Sequence, residues 1–205
     1  MPALRILVID DHPLFRAGVT AILTSESDLH VVGEAGTGME GIAAFRVLRP
    51  DVTLVDLKLP DMDGDKVIAT VRKDEPEARF IVLTTYGGDA AARRSISAGA
   101  HGYLLKTSLI NELIAAVRSV HAGRPYISPA VGKELSEHRG DECLTEREIE
   151  VLRAVAAGLE NKQIARKLGI SADTVKEHLS RTMAKLHASN RSHALAIALS
   201  RGFLP

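Results

Sequence analysis

"TLVDLKLPDMDGDKV", residues 53–67, sets an apolar, β-branched run directly against four aspartates, with Pro60 and Gly64 among them. A short apolar run that ends on a carboxylate reads as a buried strand delivering Asp56 to the edge of a sheet. Four other segments follow the same grammar: "LRILVID" (4–10), "HVVGEA" (30–35), "RFIVLTT" (79–85) and "GYLLK" (102–106). The runs are continuous rather than alternating, as parallel strands covered on both faces require. Amphipathic stretches lie near 13–25, 38–48, 65–74, 90–98 and 109–122. In "LINELIAAVRSVHAG", Leu109, Leu113, Ala116, Val117 and Val120 recur at three- and four-residue steps until Gly123 ends the helix. Five strands alternating with five helices predict an α/β domain over residues 1–124, a doubly wound five-stranded parallel sheet built from right-handed crossovers.

The grammar changes after Gly123. "RPYISPAVGKELSEHRGDEC" (124–143) has two prolines, two glycines and mixed charges, so 125–143 reads as a linker with a short helix near 129–136. Residues 144–205 show helices and no strands. "LTEREIEVLRAVAAG" opens with a capping box in which Thr145 and Glu148 bond each other's backbone amides. "NKQIARKLGI" starts on Asn161 as its N-cap and ends at Gly169, and "SADTVKEHLSRTMAKL" starts on Ser171 with Asp173 in its first turn. "RSHALAIALSRGF" forms a fourth helix. The second and third are joined by Gly169, Ile170 and Ser171, the spacing of a helix-turn-helix in a small all-α domain.

Composition narrows the classes further. At 205 residues, 45% hydrophobic and 25% charged, the chain has an ordinary globular balance. No apolar run approaches the roughly 18 residues of a membrane span, and no signal-peptide pattern opens the chain, so a cytoplasmic location is expected. The single Cys143 excludes a disulfide framework and a multi-cysteine zinc site. Residues 1–124 carry 14 Lys/Arg against 16 Asp/Glu, whereas residues 161–201 carry 8 against 2. That excess of cations points the C-terminal end at a polyanion.

Ligands of doubly wound sheets gather at the carboxyl ends of the strands. There the first strand brings Asp10 and Asp11, the third Asp56, the fourth Thr84 and the fifth Lys106. A lone aspartate after a strand is commonly a turn former. Three together repel, each pair by about 4 kcal/mol at 4 Å and an effective dielectric near 20, and a cation relieves this. An oxygen-only ligand set favours Mg²⁺. A calcium loop with its glycine at Gly64 would begin at Leu59 and end at Thr70, neither a carboxylate, so that reading fails. A phosphatase of the haloacid-dehalogenase type needs an acid two residues beyond its nucleophile, and Lys58 stands there. Asp61, Asp63 and Asp65 are assigned to the loop, and Asp56 remains as a nucleophile for a phosphoryl group.

"VIDDH", "LVDLKLPDMDG", "VLTTY" and "GYLLK" together resemble the receiver domain of two-component response regulators, over essentially all of residues 1–124. The resemblance implies a flavodoxin-like fold with Asp56 as phosphoacceptor. It further implies that Asp10, Asp11, Asp56 and the backbone carbonyl of Lys58 hold Mg²⁺, and that Lys106 contacts the phosphoryl oxygens. Thr84 would be the switch hydroxyl and Tyr103 the switch aromatic, unless Tyr103 is one more buried ring. Lys58 and Tyr86 flank the pocket. "LTEREIEVLRAVAAGLENKQIARKLGISADTVKEHLSRTMAKL" resembles the LuxR-type helix-turn-helix of the NarL/FixJ response regulators, over residues 144–205. On that pattern Lys176, Glu177 and Ser180 of the recognition helix (172–186) face DNA, with Lys176 meeting a base or a phosphate. Glu177 departs toward negative charge, and either accepts from a cytosine amino group or repels phosphate. Thr174, Arg181, Lys185 and the Asn161 helix start are expected phosphate positioners.

The implied protein is a phosphorylation-controlled transcription factor. A histidine kinase donates to Asp56, a homodimer forms, and promoter DNA is bound. It is no enzyme beyond catalysing its own phosphorylation and hydrolysis. The alternatives are a DNA-binding protein activated without phosphate, and a hub whose C-terminal module binds protein.

Overall fold

The structure, a computed structural model, describes residues 3–85, 87–107, 109–139 and 141–204, without the side chains of 109–111. Tyr86 and the side chain of Leu109 lie outside the described residues. Contacts divide the chain into two compact units, residues 1–86 with 92–133 and residues 134–205 with 87–91.

In the first unit β1 (Leu4–Ile9), β2 (Leu29–Ala35), β3 (Val52–Asp56), β4 (Phe80–Thr84) and β5 (Gly102–Leu105) alternate with α1 (Pro13–Thr24), α2 (Gly38–Leu48), α3 (Gly64–Asp74), the greater part (92–97) of α4 (Asp89–Ser97), and α5 (Leu109–His121). Both faces of the strands are covered, so consecutive residues are buried: Ile6, Leu7, Val8 and Ile9 are all at most 1% exposed. One face packs Ile6, Val8, Leu54, Ile81, Leu83 and Leu104 against Val19 and Leu23 of α1 and Leu113, Val117 and Val120 of α5. On the other side Ile42, Phe45, Val67, Ile68 and Val71 of α2 and α3 are buried, and Phe45 stacks on Phe80 at 5.9 Å. Gly123 ends α5 with φ +76, as its position predicts.

The expected five strands are six. The sheet is parallel in the order β2-β1-β3-β4-β5-β6, and β6 is the pair Tyr126–Ile127 inside the predicted linker. Tyr126 N donates to His101 O at 3.0 Å and Ser128 N to Tyr103 O at 2.9 Å, which satisfies the outer edge of β5. Helix α6 (Pro129–Glu137) follows, so the predicted linker holds a strand and a helix, and its helix matches the one expected near 129–136. The strand order reverses between β1 and β3, which puts Asp10 and Asp56 on either side of the crevice where doubly wound sheets bind ligands.

The helices of the second unit are α7 (Glu146–Ala156), α8 (Asn161–Leu168), α9 (Ala172–Lys185) and α10 (Arg191–Ser200). Val151, Leu152, Val155, Ile164, Val175, Leu179, Leu186, Ala194 and Ala198 form their common core. The Thr145–Glu148 capping box is present at α7, and Ser171 Oγ caps α9 through Thr174 N at 3.0 Å. At α8 the expectation needs correcting. Glu160, not Asn161, is the N-cap, and its N–H donates to Gln163 Oε1 at 2.8 Å. Asn161 sits one residue into the helix, where its Oδ1 accepts from Arg191 at 3.4 Å. Gly169 adopts φ +67, the left-handed conformation that allows the tight turn into α9. Among the described residues, no helix is long and apolar enough to cross a membrane.

Candidate functional site

Three strand ends build the acidic pocket. Asp10 follows β1 and is fully buried, Asp56 ends β3 and is 5% exposed, and Lys106 follows β5 with its side chain 8% exposed. The Lys106 ammonium bridges the two acids, 2.7 Å from Asp56 Oδ2 and 2.5 Å from Asp10 Oδ2, and lies 4.3 Å above the Phe15 ring. Its backbone N–H donates to Thr84 O at 2.7 Å, which ties the fifth strand's end to the fourth's. Burial pushes the Asp56 carboxyl above its ordinary 3.8, with Asp10 adding to the rise, while Lys106 and the Lys58 N–H pull the other way. Ligand atoms of Asp10, Asp11, His12 and Asp56 all lie within 4.8 Å of one another.

This set fits a hard divalent cation. Asp10 Oδ2 is buried without a hydrogen-bond partner, although the Lys106 ammonium is paired with it electrostatically. Three carboxylates facing one ammonium leave two negative charges, the number a divalent ion neutralises.

The remaining aspartates of the opening stretch have other partners. Asp61 reaches across to α2, where Oδ1 accepts from Gly38 N at 2.8 Å and Oδ2 from Met39 N at 2.9 Å, holding its carboxyl below the usual range. Asp63 occupies the N-cap position of α3 and pairs with Lys58 at 2.9 Å. Asp65 lies in the first turn of α3 and accepts from Ser95 Oγ at 2.6 Å, and burial raises its carboxyl. Gly64 permits this layout: its N–H donates to Leu57 O at 2.9 Å, and a Cβ there would stand 2.2 Å from the Asp56 carbonyl oxygen. Thr84 is 1% exposed at the end of β4, and Tyr103 is fully buried in β5. Sequence reasoning missed Arg16, which donates to Asp10 O at 2.5 Å, and Phe15 beneath Lys106; both lie in the first turn of α1, just after the acidic strand end, and that adjacency was their only signal.

In the second unit Lys176, Glu177, Ser180 and Arg181 are exposed along one side of α9. Lys176 lies 3.4 Å from Asp173, and Arg181 is paired with Glu177, so part of the negative charge on this face is internally matched. Thr174 is half-buried, with its hydroxyl 2.8 Å from Ser171 Oγ. Lys185 points elsewhere. Its ammonium lies 3.0 Å from the buried Glu148 carboxylate and 3.3 Å from Cys143 O.

The fold defines a doubly wound parallel-sheet domain with an acidic crevice at its strand ends, and a separate helix-turn-helix domain. Comparison with known proteins agrees for both halves. The response regulator receiver domain family matches residues 6–118, and the luxR family of bacterial regulatory proteins matches residues 142–198. Response regulator protein VraR of Staphylococcus aureus is 34% identical over 206 residues, spanning 98% of this chain and 99% of VraR. Two solved structures of RcsB are similar along nearly the whole chain. An RcsB–DNA complex has TM-score 0.71 and 27% identity, covering 97% of this chain and 98% of RcsB. A structure of two RcsB dimers bound to two parallel DNAs has TM-score 0.72 and 26% identity, with the same coverage. The chain belongs to the response regulators that join a receiver domain to a LuxR-type helix-turn-helix domain.

Proposed function

We propose that a histidine kinase phosphorylates Asp56 and that the phosphoryl group controls dimerisation and promoter binding. The observation that carries this reading is the Lys106 ammonium held between Asp56 and Asp10, with Asp11 beside them. An Asp56 carboxylate oxygen forms the new bond to phosphorus as the P–N bond to the kinase histidine breaks, and the electron pair leaves with the imidazole. Asp10, Asp11, Asp56 and the Lys58 carbonyl would hold Mg²⁺, which supplies neutralisation of the phosphoryl oxygens. Lys106 already touches the attacking carboxylate and is the cation for an oxygen of the acyl phosphate. The pocket thereby also catalyses its own phosphorylation from small donors, and its own hydrolysis.

The phosphoryl group brings close to two negative charges and new acceptors beside Thr84. The Thr84 hydroxyl turns to one of them, and the Tyr103 ring takes the space vacated. A homodimer then places two recognition helices on DNA, where Lys176 meets a base edge or a phosphate, Ser180 faces the DNA, and Glu177 repels phosphate or accepts from a cytosine amino group. Arg181 and Thr174 position the backbone, together with the start of α8. RcsB dimers on DNA support this arrangement by analogy. The setting is the cytosol, where kinase and DNA are both reached.

The test compares untreated protein, protein treated with acetyl phosphate and Mg²⁺, and Asp56→Ala treated likewise. Sedimentation and binding to DNA selected from a random pool are measured across salt concentrations. Treated wild type should shift toward dimer and bind with a higher affinity that falls steeply with salt. Identical behaviour of all three would refute phosphate control, and salt-insensitive or absent DNA binding would refute the DNA contacts.

A further inference from the structure

The Lys106 ammonium has a third neighbour besides the two acids. It lies over the face of the Phe15 ring, 4.3 Å from the centroid, inside the roughly 6 Å over which a cation is attracted to an aromatic face. We infer that Phe15 is a positioning residue for the phosphoryl transfer. Its ring holds the Lys106 ammonium in place while negative charge moves from the Asp56 carboxylate to the phosphoryl oxygens. This rests on the reaction proposed at Asp56 and adds to it the residue through which Lys106 is aimed.

A lysine in this role needs such a support. Its charge sits at the end of a flexible four-carbon stem, and with 8% of the side chain exposed little water is at hand to hold it. Asp56 Oδ2 at 2.7 Å and Asp10 Oδ2 at 2.5 Å hold it in the resting pocket. The Asp56 contact does not last through the reaction, because the charge on that carboxylate is used up when its oxygen bonds to phosphorus. A ring face neither titrates nor reacts, so its attraction is the same before and after the transfer. Keeping the ammonium still matters, since a cation aimed at developing charge loses much of its effect when displaced by about an ångström.

The ring is itself held. Pro13 opens α1, and Phe15 and Arg16 follow in its first turn. Arg16 N donates to His12 O at 3.0 Å, and the Arg16 guanidinium donates to Asp10 O at 2.5 Å and to Glu34 Oε2 at 3.4 Å. Glu34 Oε1 in turn accepts from Thr20 Oγ1 at 2.8 Å. These bonds tie the start of α1 to the end of β1 and to β2. Leu14 and Phe15 are adjacent apolar residues with opposite fates: Leu14 is 90% exposed, whereas Phe15 packs against the core that includes Leu104 and Leu113. Only Phe15 turns inward, and its ring face meets the one cation of the pocket.

The experiment uses the full chain with Phe15 replaced by phenylalanine carrying one, two or three ring fluorines, and Phe15→Leu beside them. Fluorine barely changes the ring's shape but drains negative charge from its face, so it separates attraction from packing. The rate of phosphorylation by acetyl phosphate at saturating Mg²⁺ is followed by intact mass. It should fall with each added fluorine, to about one-fifth of the wild-type rate for three fluorines and for Phe15→Leu. A second readout needs neither metal nor phosphate. In protein with ¹³C-labelled lysine, the methylene beside the Lys106 ammonium, assigned by its loss in Lys106→Met, should resonate upfield of the other lysines through the ring current. In Phe15→Leu it should return to their position. A rate flat across the fluorine series would reduce Phe15 to packing and overturn the inference, as would an unshifted methylene in wild type, and either result leaves the reaction at Asp56 standing. A wild type that takes up no phosphoryl group while its methylene is shifted would refute the reaction itself, and the positioning role with it.

Discussion

Replacing Lys106 with methionine keeps the length of the side chain and removes its charge. In the native pocket the ammonium lies 2.7 Å from Asp56 Oδ2 and 2.5 Å from Asp10 Oδ2, with 8% of the side chain exposed. At an effective dielectric near 20, each such contact is worth roughly 6 kcal/mol before desolvation is counted. Dehydrating the ammonium cancels several kcal/mol, and breaking a buried pair by removing one member costs about 3–5 kcal/mol in practice. Asp56 can soften the loss by taking up a proton, since burial already raises its carboxyl and the Lys106 contact is what lowers it. The expected destabilisation of metal-free protein at neutral pH is therefore about 3 kcal/mol, at the lower end of that range. The chain has no tryptophan, and its three tyrosines, Tyr86, Tyr103 and Tyr126, all precede residue 134, so tyrosine fluorescence in urea reports the first unit alone. Adding Asp56→Asn to Lys106→Met, or adding Mg²⁺, should recover a substantial part of the loss. A cost under about 1 kcal/mol, or no recovery from either change, would refute the bridging role of Lys106.

Three further perturbations separate the roles assigned to neighbouring residues. Asp65 has a native pKa above its unfolded value near 3.8, so the stability it contributes is present below that pH and lost as pH rises through the native value; Asp65→Asn should remove this decline, as urea midpoints between pH 3.5 and 7 would reveal. Gly64→Ala would set a Cβ 2.2 Å from the Asp56 carbonyl oxygen, and the displaced carboxylate should slow phosphorylation by acetyl phosphate on the order of a hundredfold, followed by intact mass. Lys176→Ala should weaken DNA binding and lower its salt slope by about one ion. Lys185→Met should leave the slope nearly unchanged and cost the second unit about 2 kcal/mol, because Glu148 loses a charge-assisted bond.

What was legible in the sequence depended on range. Strands and helices of the first unit follow from continuous apolar runs and three-to-four-residue periodicity, both local, and their observed bounds differ from the expected ones by a residue or two. β6 has two residues and no pattern of its own; it forms because Tyr126 and Ser128 meet the free edge of β5, which no local window contains. Asp10, Asp56 and Lys106 were found together because strand order carries their ends to one crevice. Asp61 was correctly placed in the loop, but its two bonds to the start of α2, 22 and 23 residues earlier, depend on tertiary approach. Lys185 shows the converse. Its position on α9 suggested a phosphate contact, whereas its ammonium serves a buried glutamate 37 residues away.

The most direct test of the account is to locate the phosphoryl group. Protein incubated with acetyl phosphate and Mg²⁺ is reduced with borohydride, which converts an aspartyl phosphate to homoserine, and its peptides are sequenced by mass. The account predicts homoserine at position 56 alone, dependent on Mg²⁺. Homoserine at Asp10, Asp11 or another aspartate, or none at any position while the protein still responds to the donor, would contradict it.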